Sequence, residues 1–170
     1  MDSFLAWIEN GSLSEFIRGS ESIFAFPAII TLHTIGMGFL AGGSAAIDLR
    51  IIGFASSMPL KPLARFFPLL WLALAVNVIT GILLVIAYPT KALTNPLFYV
   101  KLCLVALALW LVQRIGASVL RRPDIDQKPV AATGKLLALA SLTTWVALIT
   151  AGRLLAYTNR WELLGITAIH

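Results

Sequence analysis

Charge is what this sequence has least of. Only 12% of its 170 residues are Asp, Glu, Lys or Arg, while 59% are hydrophobic and the mean hydropathy is +0.89. Soluble domains carry roughly 25% charged residues, so a free-standing water-soluble globule is excluded: nothing is left to build its polar shell. Cysteine is nearly missing. Cys103 stands alone, which rules out an intrachain disulfide framework and a zinc knuckle. The two histidines, His33 and His170, leave little room for metal chemistry. No catalytic triad, no paired intramembrane carboxylates and no phosphate loop can be found. These absences favour a non-catalytic or electron-transfer membrane subunit over an enzyme. The net charge is +5, but the basic residues lie between apolar runs, which points to a bilayer and away from nucleic acid.

Long apolar runs are what the sequence does have. Crossing a bilayer takes about 20 helical residues, and four stretches qualify: Ser22–Leu49, Phe66–Tyr88, Pro96–Val119 and Gly134–Tyr157. Strands of a membrane barrel would alternate polar and apolar residues; Ile82-Leu83-Leu84-Val85-Ile86 does not. The connections are short and punctuated, as in Ser56-Ser57-Met58-Pro59 and Asn95-Pro96. The expected fold is all-α, an up-down-up-down four-helix transmembrane bundle over residues 22–157. Residues 1–21 precede it as an interfacial amphipathic segment, with Phe4, Trp7 and Ile8 on one face and Leu13, Phe16 and Ile17 on another. Asp2, Glu9 and Glu15 argue against a cleavable signal peptide. Residues 158–170 form a tail in which His170 is expected to be disordered.

The basic residues also orient the bundle. Eight of the thirteen lie at the ends joined by the first and third connections: Arg50, Lys61, Arg65, Arg114, Arg121, Arg122, Lys128 and Lys135. The positive-inside rule puts these connections in the cytoplasm, and both termini then face outward, to the periplasm of a Gram-negative cell.

His33 is the most informative residue. It lies eleven residues into the first span, roughly 16 Å along the axis and near the midplane. An ionisable group at that depth must face the bundle interior and is a functional candidate by default. Its imidazole can ligate haem iron or copper, or bond a quinone oxygen. The plainer reading is a helix pin bonded to Asn77 or Thr144. Asn77 and Trp145 are expected at about the same depth. Lys101 and Arg153 lie near the outward ends of their helices, where they either snorkel to the headgroups or hold anionic groups such as haem propionates. Gly38-x-x-x-Gly42 is a small-x-x-x-small pattern that lets a helix approach closely. Met37, one turn from His33, could join it and Cys103 in a soft copper set. Asp48 and Arg50 suggest an ion pair at the end of the span, and Asp124 and Asp126 read as solvated. The segment Val78-Ile79-Thr80-Gly81 is echoed by Leu148-Ile149-Thr150-Ala151-Gly152.

The run Leu32-His33-Thr34-Ile35-Gly36, then Gly42-Gly43, then Asp48-Leu49-Arg50-Ile51-Ile52-Gly53, resembles a family of small bacterial four-helix inner-membrane proteins of uncharacterised activity. Asn95-Pro96-x-Phe98-x-x-Lys101 and Ala151-Gly152-Arg153-Leu154-Leu155-Ala156-Tyr157 extend that resemblance over Ile23 to Tyr157. More distantly, Tyr99-Val100-Lys101-Leu102 is similar to a helix opening in copper-resistance D type membrane proteins, whose bundles are similar in outline to b-type cytochromes. The resemblance implies a bacterial inner-membrane location and allows a haem b. This chain departs from a bis-histidine haem site in having a single intramembrane histidine. A haem would then be five-coordinate, use Met, or be shared with another subunit.

The leading expectation is a subunit of an electron-transfer system. His33 binds haem or quinone, Asn77 and Trp145 shape the pocket, and Lys101 and Arg153 hold anionic groups. Copper handling through His33 and Met37 is the first alternative. The second is a scaffold or accessory subunit that packs against other membrane subunits, or a second copy of itself, through Gly38 and Gly42.

Overall fold

The computed structural model describes residues 2–19, 25–122, 124–127 and 129–157. Among these there is no strand. Two short helices, α1 (Asp2–Glu9) and α2 (Ser12–Gly19), precede the long α3 (Phe26–Ile52). The short α4 (Leu60–Leu63) runs through a 3-10 turn into α5 (Phe67–Ala87). Then come α6 (Pro89–Leu93), α7 (Pro96–Ile115) with a π turn at its end, and α8 (Ala132–Tyr157). Four helical stretches are long and apolar enough to cross a membrane: Phe26–Ile52, Leu60–Ala87, Pro96–Leu120 and Ala132–Leu155. The expected all-α four-helix bundle is what forms. The first span starts and ends later than the sequence suggested, and the tail 158–170, with His170, lies outside the described residues.

Local chemistry sets the ends. Gly53 terminates α3 with φ 119°, a left-handed conformation that suits glycine, and its N–H returns to the Leu49 carbonyl. Asn95 caps α7, its side chain accepting from the Leu97 N–H, with Pro96 in the first turn where its missing N–H costs nothing. Asp126 is not merely solvated. Its carboxylate accepts from the Leu60 N–H at 2.5 Å and the Lys61 N–H at 3.2 Å, so it caps α4 and ties the third connection to the first. Asp126→Ala is expected to lower stability by about 1–2 kcal/mol, measurable by thermal unfolding in detergent.

Packing is uneven around the bundle. α3 packs along both α5 and α8, and α7 packs along α8, but α5 and α7 do not pack along their length. The spatial order is therefore α5, α3, α8, α7, with one side splayed open. At the end that carries Asp48 the gap is closed by the Phe67 ring, which lies against Gly116 at the π turn of α7. The close approach of α3 to α5 is made at Gly36 and Gly43. A Cβ on Gly36 would lie 2.2 Å from Asn77 Nδ2, and one on Gly43 would lie 2.7 Å from Leu70 Cδ2. Gly38 and Gly42 face outward, with nothing within 4 Å of an added Cβ, so they do not pack the bundle itself. The outer surface of the helices is apolar, with Leu72, Ile79, Ile82, Leu136 and Val146 all exposed. Such a girdle suits a bilayer, whose hydrocarbon offers it the contacts that water would not.

α1 and α2 lie across the other end, against α6 and α5. Leu5 and Ile17 are buried toward the bundle, and Ser14 Oγ donates to the Ala87 carbonyl at 3.3 Å. Arg18 pairs with Glu9 at 3.4 Å and also donates to the Glu9 carbonyl, while Thr90 Oγ1 donates to Glu9 Oε2 at 2.5 Å. Phe4, Trp7, Leu13 and Phe16 remain exposed on the outer surface. Ile17, expected to share a face with Leu13 and Phe16, turns inward instead.

Candidate functional site

The splayed side encloses a cavity of about 610 Å3. All four spanning helices line it, together with Lys91 and Ala92 of α6. Most of the wall is aliphatic. Its rim on the open side carries Val78 and Ile82 of α5 and Leu102 of α7, all exposed, so the opening faces laterally between α5 and α7. This part of the rim is apolar, while Tyr88 and Lys91, both exposed, stand at the outer end of the same cavity.

His33 lines this cavity and is half-buried. Its ring sits against Gly81, where an added Cβ would be 3.5 Å from Cε1. Nδ1 is 2.9 Å from Thr80 Oγ1. Thr80 has one hydroxyl proton, and its closest acceptor is the Val76 carbonyl at 2.7 Å. The threonine therefore accepts from His33, which fixes Nδ1–H as a donor and leaves the lone pair on Nε2. Nε2 has no side-chain partner among the described residues. It can accept a proton or ligate a metal.

The side-chain partner of His33 is thus Thr80 and not Thr144, while Asn77 meets the imidazole through its backbone and not through its amide. Thr144 donates to its own helix, to the Ala140 carbonyl at 2.7 Å. The signal that could have pointed to Thr80 is the Ile79-Thr80-Gly81 echo, since Gly81 and its counterpart Gly152 both line the cavity. Lys101 also lines the cavity, its Cε 3.9 Å from where a Cβ on Gly152 would stand. No described carboxylate forms an ion pair with it. Met37 lines the cavity beside His33. Arg153 does not join them: its side chain is exposed and turned away, although its neighbours Gly152 and Leu155 are in the wall.

Asn77 and Trp145 line the cavity with their polar atoms turned into the protein. Asn77 Nδ2 donates to the Ala73 carbonyl at 3.1 Å, and Oδ1 is buried without a partner. Trp145 Nε1 is likewise buried and unpartnered. The three residues are not at one level. Asn77 sits at Gly36, about 4–5 Å along α3 from His33. Trp145 is one turn from Ser141, and Ser141 lies beside Asp48, fifteen residues from His33. Trp145 is therefore part of the cavity floor. Antiparallel helices convert equal sequence depth into equal height only if their ends are flush, and here they are not.

Cys103 is exposed on the outer surface, away from His33 and Met37. Among the described residues no group of three His, Cys, Asp or Glu side chains gathers in metal-binding geometry. Asp48 is buried rather than paired with Arg50, whose guanidinium donates to the Met58 carbonyl. No protein-family model, curated protein or solved structure matches this chain.

Proposed function

We propose that this protein is a membrane subunit of an electron-transfer system and that its cavity binds a lipid-soluble quinone, with the isoprenoid tail leaving between α5 and α7. The observation that carries this reading is the lateral apolar opening, which leads to an imidazole whose Nε2 has no side-chain partner among the described residues. His33 Nε2 accepts from a quinol hydroxyl, and the Lys101 ammonium donates to the oxygen across the ring. Thr80 keeps the imidazole in the tautomer that can do this. Haem is supported less well. Met37 is four residues from His33 on the same helix, so the two side chains stand side by side and cannot take opposite faces of one porphyrin. Copper would find His33 and Met37 but not Cys103. Orientation is part of the proposal: the charge bias places the Asp48 end in the cytoplasm of a bacterial inner membrane and both termini in the periplasm.

The test is titration of the detergent-purified protein with a short-tailed benzoquinone, read by quenching of tryptophan fluorescence. Saturable quenching that Gly81→Leu abolishes is the expected result, because a leucine there fills the space beside the imidazole. An absorption spectrum and metal analysis on the same sample decide the alternatives. A Soret band would replace quinone by haem, and stoichiometric copper would favour copper handling. No quenching and no metal would leave the scaffold reading.

A further inference from the structure

One charged side chain stands on the outer surface of a spanning helix with no opposite charge beside it. Trp110 of α7 is 51% exposed, and one turn on the exposed Arg114 holds its guanidinium over the indole, 5.7 Å from the ring centre. Both lie within the apolar span Pro96–Leu120, and neither lines the large cavity. They face outward, beside the exposed Leu107. Among the described residues no ion pair reaches Arg114, Arg121 or Arg122. A guanidinium at the edge of hydrocarbon is costly unless water or an anion meets it. The indole face offers a cation–π contact, but an indole accepts no hydrogen bond from the guanidinium N–H groups.

The end of α7 gathers more cations at this place. Eight residues beyond Arg114 an α-helix would have drifted by about 80° around its axis. The π turn Gly116–Leu120, closed by the Arg121 N–H on the Gly116 carbonyl at 3.1 Å, is wider and takes up part of that drift. Arg122 therefore comes out on the Arg114 side, and Arg121 and Arg122 are both exposed. From α8, Gly134 packs beside Val119, where an added Cβ would be 3.1 Å from Val119 Cγ2, so the exposed Lys135 stands at the level of the same turn. Acidic residues do not balance this group. Asp48 is buried in the bundle and Asp126 is spent on the Leu60 and Lys61 N–H groups, which leaves Asp124 at this end.

We infer that this face of α7, with Lys135 from α8, binds an anionic phospholipid of the leaflet at the Asp48 end. The row has the polarity of such a lipid, apolar along Leu107 and Trp110 and cationic beyond. An acyl chain lies against the indole, and the phosphate accepts from Arg114, whose planar fork suits paired N–H bonds to its oxygens. Arg121, Arg122 and Lys135 supply the positive field that favours a net negative headgroup over a zwitterionic one, as basic pockets between spanning helices do. The site lies outside the large cavity, and its occupation does not depend on what that cavity binds.

The test reconstitutes the full-length protein in vesicles of phosphatidylcholine and phosphatidylglycerol in equal amounts, with bromine on the acyl chains of one lipid or the other. Bromine quenches the emission of a tryptophan that its chain touches. The Trp110 share of that emission is the difference between each protein and its Trp110→Phe counterpart. Brominated phosphatidylglycerol is expected to quench this share more strongly, with a relative affinity about fivefold above that of phosphatidylcholine. Arg114→Gln is expected to bring the preference close to one, and high salt to reduce it. Should Arg114→Gln disturb insertion, Arg121→Gln/Arg122→Gln lies beyond the span and is expected to lower the preference by a smaller factor. Equal quenching by the two brominated lipids in the unaltered protein, or a preference that survives both variants, would overturn the site.

Discussion

Quinone binding is expected to weaken by about tenfold to a hundredfold when His33 becomes alanine, the loss of roughly 1.5–3 kcal/mol from one hydrogen bond in a water-poor site. Fluorescence titration would measure it. Of the polar side chains that line the cavity, His33 and Lys101 are the pair assigned to the two polar ends of a quinone ring. Losing the imidazole removes the acceptor at one end and leaves the quinol hydroxyl without a partner. Thr80→Val is expected to cost less, because the ring stays in place and only its tautomer is released. Arg153→Ala is expected to change nothing, since that side chain points away from the cavity. Equal affinity in His33→Ala would remove the imidazole from the binding site altogether.

The second large effect is on stability. Gly36→Ala is expected to destabilise the bundle by about 1–3 kcal/mol, and Gly36→Leu by more, because the added carbon would stand 2.2 Å from Asn77 Nδ2 and 3.3 Å from the Ala73 carbonyl. The backbone oxygen cannot move without bending α5. Gly38→Ala and Gly42→Ala meet open space and are expected to leave unfolding unchanged, or to stabilise α3 slightly through helix propensity. Thermal unfolding of the four variants in one detergent makes the comparison. Gly42→Leu separates a further role: an effect confined to oligomer size would show that the outward glycines pack another helix, as the scaffold reading requires. If Gly36→Ala unfolds with the wild type, the close approach of α3 and α5 is not what holds that pair together.

Composition and hydropathy determined the environment and the architecture of this protein. Apolar runs of more than 20 residues leave the backbone no partner but itself, so helices follow, and short punctuated loops make them antiparallel. Sequence depth also singled out His33, because an imidazole halfway along an apolar span has few tolerable places to point. What lies around that imidazole was decided by tertiary structure. Which of Gly36, Gly38, Gly42 and Gly43 touches a neighbour depends on how α3 is rotated against α5, and a helix glycine-rich on several faces carries no such information. The choice of the Thr80 side chain over Thr144, the outward turn of Arg153 and the burial of Asp48 away from Arg50 have the same origin. Each depends on helix rotation and relative height, which are set by the summed packing of many apolar side chains and not by any local pattern. The cavity is the clearest case: it exists because α5 and α7, neighbours in the chain, fail to close on each other, and no single residue encodes that gap.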